Sequence, residues 1–464
     1  MGGGSNKKRK TGVTGQMLKT LKPFVLSKFL YGFVQVMSMS SQHALISYLN
    51  IAEKATTRDH YKRAIRSIKE MWRNGHPSLQ VAMKTLRNTS PRHKKQIIKC
   101  FIINQLLVGS TKRKAFSEQE GGFYPPGLLV ISPSMKCNLN CFGCYAGMYR
   151  KDEDLPYEVI DRVLSEAKEM GVYFVVISGG EPFFRKDLLS LFEKHNDMSF
   201  HVFTHGGLLD EKMVGRLADL GNILPAISVE GFREETDSRR GKGHYDKVVR
   251  AMGLLKEAGI LFGYSATMTR QNAEIMASDE FVDHWMEKGC TVGWYFLYIP
   301  VGRKPNWELV PTPEQRDMLR ERVAYFRSKK EMLFGDFWND GPVVGGCIAG
   351  GRKYFHINSK GDVEPCVFCH FALHNIKNVS LKEAVTSPLF KKIQDYQKAN
   401  KNLLRPCMII DYPNVYRDVC KMQGVYFTHD GAENIVEEFS KEIDEYAACY
   451  GEMADKAWNE KHCK

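Results

Sequence analysis

At 464 residues the chain exceeds the roughly 250 to 300 at which one hydrophobic core stops growing, so two or three domains are expected. A hydrophobic content of 43% with 26% charged residues excludes a disordered or low-complexity chain, and the longest apolar run, Phe24 to Met37, is interrupted by Ser27, Lys28 and Gln35 and falls short of a membrane span. The net charge of +13 is uneven: residues 1–115 carry 23 Lys and Arg against only Glu53, Asp59 and Glu70, so a strongly basic arm precedes a mildly acidic body.

In chain order, residues 1–12 read as a disordered basic tail without the apolar stretch of a secretory signal. Twelve cysteines without an export signal point to reduced thiolates kept for metal or catalysis, and to a cytoplasmic setting. Residues 13–115 read as a basic helical domain, with apolar residues three and four apart in Phe24–Met37, Ala64–Trp72 and Ile97–Leu107. The polar stretch Gly109–Gly122 is expected to close it.

Residues 116–310 alternate strands with helices. Strands are expected at Gly127–Ser132, Val172–Ser178, Phe200–Thr204, Ile223–Val229, Leu261–Thr267 and Cys290–Tyr298; Asp154–Met170 and Tyr245–Ala258 read as helices, each followed by glycine. This alternation predicts an α/β fold, a partial (β/α)6 TIM-like barrel with its chemistry at the strand C-termini. Residues 311–340 read as a helical connector. Residues 341–425 read as a small α+β module with a hairpin over Tyr354–Glu364 and a helix over Leu381–Gln397. Residues 426–464 read as a C-terminal helix and tail, with Ala432–Tyr450 helical.

Cys137, Cys141 and Cys144 stand in C-x3-C-x2-C spacing after the first expected strand. Three thiolates on one loop can hold three corners of a cubane iron–sulfur cluster, leaving the fourth iron open to a ligand; zinc sites instead show paired C-x2-C knuckles with a second pair or histidines. The spacing, with the aromatic Phe142 before the last cysteine, resembles the radical S-adenosylmethionine superfamily, and the resemblance covers about residues 125–305. Ser178, Gly179, Gly180, Glu181 and Pro182 resemble that family's GGEP motif, which binds the amino group of the cofactor's methionine part. Ser228 and Arg240 stand where relatives place a serine for the ribose and an arginine for the carboxylate, a task suited to the guanidinium fork. Thr267, Asn272 and the stretch from Tyr298 resemble adenine-side contacts. Arg239 reads as a solvated loop charge. His205, where relatives carry asparagine, reads first as a satisfied structural histidine, with a hydrogen bond near the cofactor or proton transfer as the alternative; no other catalytic residue is read from the sequence.

The resemblance implies a [4Fe-4S] cluster bound to S-adenosylmethionine, a reductant such as flavodoxin or ferredoxin, and reductive cleavage to methionine and a 5′-deoxyadenosyl radical that abstracts hydrogen from an unactivated carbon. Further on, Cys347, Gly361 and Cys366 resemble the opening of the SPASM and twitch extensions, which implies one auxiliary [4Fe-4S] cluster. Cys347, Cys366 and Cys407 are its expected ligands, with Cys369, Cys420, His370 or Asp411 as the fourth. The apolar face of the basic helical arm either packs on the barrel with its charges solvated or meets an anionic membrane surface, with nucleic acid as rival. A lipid-like hydrophobic substrate is therefore the first expectation; modification of a peptide or protein is the alternative, and a non-enzymatic iron–sulfur redox sensor or nucleic-acid-binding protein the third.

Overall fold

The computed structural model describes residues 42–55, 59–74 and 77–462. The expected basic tail and the apolar face Phe24–Met37 lie outside the described residues.

Seven parallel strands form the sheet: β1 (Leu129–Ile131), β2 (Phe174–Ile177), β3 (Ser199–Thr204), β4 (Ile223–Val229), β5 (Gly263–Met268), β6 (Val292–Leu297) and β7 (Leu333–Asp336). Each of β1 to β6 pairs in parallel with the next. Amphipathic crossovers dictate this arrangement. The helix Tyr157–Glu169 buries Ile160, Val163, Leu164 and Ala167 against the sheet, the three-and-four spacing of one helical face. The helix Glu211–Leu220 starts on Asp210, whose carboxylate accepts from Met213 N at 2.7 Å, and stops at Gly221 in the left-handed region. The result is the expected partial barrel, one strand longer than read. β7 was hidden in the supposed helical connector: the helix Pro313–Lys329 ends there, and the four-residue strand after it is too short to show a period.

The C-terminal module joins the same sheet. β8 (His356–Ile357) pairs in parallel with β1, and β9 (Val363–Glu364) folds back antiparallel, the expected hairpin. A small ribbon, β10 (Phe371–Ala372) with β11 (Tyr426–Phe427), completes the module. The helix expected over Leu381–Gln397 is two helices, Leu381–Val385 and Pro388–Ala399, because Pro388 cannot continue the first and Ser387 caps the second. Ala432–Tyr450 divides likewise into a short 3-10 turn, Ala432–Ile435, and the long helix Ser440–His462. Arg316 bridges the regions: fully buried, it meets Asp411 at 2.6 Å and lies 3.7 Å from the centre of the Tyr450 ring.

Within the polar stretch Gly109–Gly122, expected to close the helical domain, Gly109–Gln119 is helix. Pro91–Ile97, a π-helical stretch Ile98–Val108, and Gly109–Gln119 run on without interruption. This rod lies under the barrel and bonds to the loops that feed successive strands. Gln105 Nε2 donates to Gly127 O at 2.5 Å, while its Oε1 accepts from Tyr173 N at 2.7 Å. Asn104 donates to Asp197 O, Gln96 to Leu220 O, and Ser90 N to Gly259 O. Among the described residues no helix is long and apolar enough to cross a membrane.

Candidate active site

Cys137, Cys141 and Cys144 occupy the loop after β1 and line a single cavity of about 260 Å³. Burial holds the Cys137 and Cys141 thiols above their ordinary values; the Cys144 thiol adds to both, while Arg240 and Arg239 pull Cys141 the other way. The loop is tightly wound: a Cβ on Gly143 would stand 2.6 Å from the Tyr298 ring. Arg303 holds it from outside, its N–H donating to Cys144 O at 3.0 Å and its guanidinium to Cys141 O at 3.3 Å.

The turn after β2 brings Ser178, Gly179 and Gly180 to the same cavity. Gly179 has φ +113°, and a Cβ there would meet Ser134 O at 2.5 Å, so only glycine fits. Glu181 and Pro182, expected in the same contact, do not line the cavity. The fully buried Glu181 carboxylate accepts from Thr204 Oγ1 at 2.7 Å, His205 N at 2.9 Å and Phe183 N at 3.1 Å, pinning the β2 turn to the β3 turn. Burial pushes its pKa up to about 7. Asn272 is also withdrawn, donating to Glu230 O at 2.7 Å and Thr267 O at 3.1 Å; Thr267 itself faces the cavity, as does Ser228.

Both ring nitrogens of His205 are engaged. Nδ1 accepts from Gly207 N at 2.9 Å, which leaves the proton on Nε2, and Nε2 donates to Asn138 Oδ1 at 2.8 Å. Burial lowers its pKa to about 3. His205 is thus a neutral tether between the cysteine loop and the end of β3, a positioning residue rather than a free acid or base.

Arg239 departs from expectation. It lies on the helix Arg233–Arg240, not in a loop, and only 10% of its side chain is exposed. Arg239 Nη1 meets Glu230 Oε2 at 2.6 Å and Arg240 Nε meets Glu230 Oε1 at 3.0 Å, so one buried carboxylate orients two guanidinium groups toward the cavity. The Arg239 guanidinium also stands 6.0 Å from the ring centre of the half-exposed Phe142, which is not part of the cavity wall. Position Glu230 was legible only as the residue after β4.

The second cysteine set assembles in the C-terminal module. Cys366 and Cys369 face each other across an antiparallel bridge, and Cys347 and Cys407 lie close enough to influence the Cys369 thiol electrostatically. Burial pushes Cys347 up to about 12. Burial also opposes ionisation of Cys366, but hydrogen bonds from Cys369 and from Tyr354 Oη, at 2.8 Å, outweigh it and bring the thiol below its ordinary value. The other expected ligands are occupied or apart. Asp411 is consumed by Arg316, His370 uses Nε2 on Val367 O at 3.0 Å and Nδ1 on His429 at 2.7 Å, and Cys420 is perturbed by burial alone. The two cysteine sets approach through aromatics: Tyr145, next to Cys144, has its ring 5.6 Å from that of Phe368, which lies between Cys366 and Cys369.

Among the described residues no three His, Cys, Asp or Glu side chains converge on a position for a single metal ion. A cubane presents its irons at separate corners, so three thiols spaced along a glycine-wound loop, and Cys347, Cys366 and Cys407 within electrostatic reach of Cys369, both suit it. Thiolates of this kind, at the strand C-termini of a partial barrel, define an iron–sulfur enzyme.

The chain belongs to the radical SAM superfamily. That family's profile matches residues 131–278, and the profile of an iron–sulfur cluster-binding domain, SPASM, matches residues 347–409. A mycofactocin maturase, MftC, of Mycolicibacterium smegmatis is 30% identical over 300 residues, 60% of this chain and 75% of the relative. An Fe-coproporphyrin III synthase of Methanosarcina barkeri is 30% identical over 47% of this chain, which spans only 57% of that protein. A PqqA peptide cyclase of Granulibacter bethesdensis is 27% identical over 66% of this chain and 85% of the relative. Among solved structures, Streptococcus suis SuiB bound to its precursor peptide SuiA shares the fold, with a TM-score of 0.56 at 22% identity over 74% of this chain and 81% of SuiB. The chain is therefore an S-adenosylmethionine-dependent iron–sulfur enzyme whose radical SAM domain takes a [4Fe-4S] cluster and whose SPASM domain takes an auxiliary cluster.

Proposed function

We propose that this enzyme modifies a side chain of a peptide or protein by abstracting hydrogen from an unactivated carbon. The observation that carries the reading is the shared cavity: it is walled on one side by Cys137, Cys141 and Cys144 and on the other by Ile348, Tyr354, Val367 and Phe368 of the SPASM domain. A substrate group entering it meets both the cysteine triad and residues of the SPASM domain. Relatives named for acting on or maturing a peptide support this choice over the lipid first expected.

In the proposed assignment Cys137, Cys141 and Cys144 hold the first cluster and Cys347, Cys366, Cys369 and Cys407 the auxiliary one. When bound, cluster and S-adenosylmethionine supply reductive sulfur–carbon cleavage and a 5′-deoxyadenosyl group able to take a hydrogen atom. The chain's own residues do the rest. Gly179 and Gly180 would let backbone approach the methionine part, Arg239 and Arg240 would hold its carboxylate, and Ser228 and Thr267 would meet the nucleoside, all six lining the cavity. The aromatic wall of Phe203, Phe296, Phe337 and Phe368 excludes water from the reacting carbon. A one-electron donor of the flavodoxin or ferredoxin kind would supply the reducing electron.

The test is anaerobic turnover with side-chain-deuterated peptides and, separately, deuterated lipids. Deuterium in 5′-deoxyadenosine from a peptide is the expected result; transfer from lipids alone would overturn the reading.

A further inference from the structure

The cavity does not end beneath the cofactor positions but continues to the floor of the barrel. Its lower wall is built from inward-facing residues in the first half of the strands: Phe174 opens β2, and His201 and Trp294 are each third in β3 and β6. His201 lies three residues below Thr204, roughly 10 Å along the strand. The π-helical stretch closes the floor from outside, with Phe101 edge-on to Phe174 at 5.5 Å between ring centres.

Two polar atoms in this apolar chamber have no partner. His201 is only 7% exposed, and its Nδ1 donates to Leu224 O at 2.9 Å, so Nε2 carries a bare lone pair; that atom is buried and unbonded. Burial keeps the ring neutral, lowering its pKa to about 4. Trp294 Nε1–H is likewise buried without an acceptor. The two rings stand 5.8 Å apart at 49° and both line the cavity, so the acceptor-bearing and the donor-bearing ring are neighbours on its lower wall. Native interiors rarely leave such atoms unserved.

We propose that the barrel floor is a binding subsite for a hydroxyl group carried on an apolar arm of the substrate, the hydroxyl donating to His201 Nε2 and accepting from Trp294 Nε1–H. A hydroxyl is the smallest group that does both through one atom. A carboxylate offers no proton to His201, an ammonium no lone pair to Trp294, and a hydrocarbon serves neither. The inference rests on the reading that this cavity receives the substrate, and it adds a requirement at the end remote from the reacting carbon.

The anaerobically reconstituted full chain is titrated with p-cresol against toluene, and with cyclohexanol against cyclohexane, by ligand-observed NMR. At least one hydroxylated probe binds about tenfold more tightly than its parent; the first pair alone identifies a phenolic arm, the second an aliphatic alcohol. His201→Phe and Trp294→Phe each erase most of that preference while leaving toluene binding and the iron–sulfur absorbance unchanged. Equal affinity within both pairs overturns the proposal, the two nitrogens then being served by water only. Binding is read without turnover, so a chain that takes deuterium from no peptide still reports on the floor.

Discussion

Glu230 organises more of the site than any residue expected to touch the cofactor. Its carboxylate is buried between Arg239 and Arg240, and removing it strands two guanidinium groups away from water. Breaking a buried pair in this way costs about 3–5 kcal/mol. Glu230→Ala is therefore expected to lower stability by about that amount in denaturant melts and to weaken S-adenosylmethionine binding, whereas Arg250→Ala, which removes an exposed pair with Glu211, changes stability by less than about 1 kcal/mol. The same scale decides the auxiliary ligands. Cys369→Ala is expected to remove the iron of one cluster, and Cys420→Ala to leave the iron content unchanged, as read by iron and sulfide analysis. Equal loss in both variants would move the fourth ligand.

At the scale of elements, the two turns proposed to hold the cluster and the cofactor depend on backbone that side chains cannot occupy. Gly179→Ala adds a Cβ at φ +113° and 2.5 Å from Ser134 O, forcing the β2 turn away from the cysteine loop. The expected outcome is a folded barrel with its auxiliary cluster intact and S-adenosylmethionine affinity at least about tenfold weaker, measured by equilibrium binding. These turns were legible because their signals are local: three cysteines within eight residues, or two glycines after an apolar run. Residues that act by folding back were not. Glu230 meets arginines nine and ten positions on, and Arg239 looked solvated because its partner is supplied by the end of β4. His201 and Trp294 read only as alternating strand positions, since nothing in a strand's period says that an inward polar atom lacks a partner. The helical rod 91–119 was cut at Gly109, whose lack of a Cβ serves close packing against Gly171 O instead of a break.

Across the whole molecule the architecture is one sheet shared by two cysteine-bearing regions. β8 extends the barrel strand β1, so the SPASM domain is tied in register to the strand whose loop carries Cys137, Cys141 and Cys144. Glu364, buried on β9, secures this junction by accepting from Tyr149 Oη at 2.7 Å and binding His356 at 2.6 Å, while His356 reaches Ser132 Oγ at 2.7 Å. That the two domains share one sheet was not legible in the sequence, because a two-residue strand has no periodicity to announce it. In the proposed assignment the first cysteine triad and the cavity beside it generate the hydrogen-abstracting group, with the SPASM cysteines as a separate site. Anaerobic production of 5′-deoxyadenosine from S-adenosylmethionine under a low-potential reductant tests it most directly. The wild-type chain should form it, and the triple variant Cys137→Ala, Cys141→Ala, Cys144→Ala should form none while retaining auxiliary iron; continued formation by that variant would contradict the account.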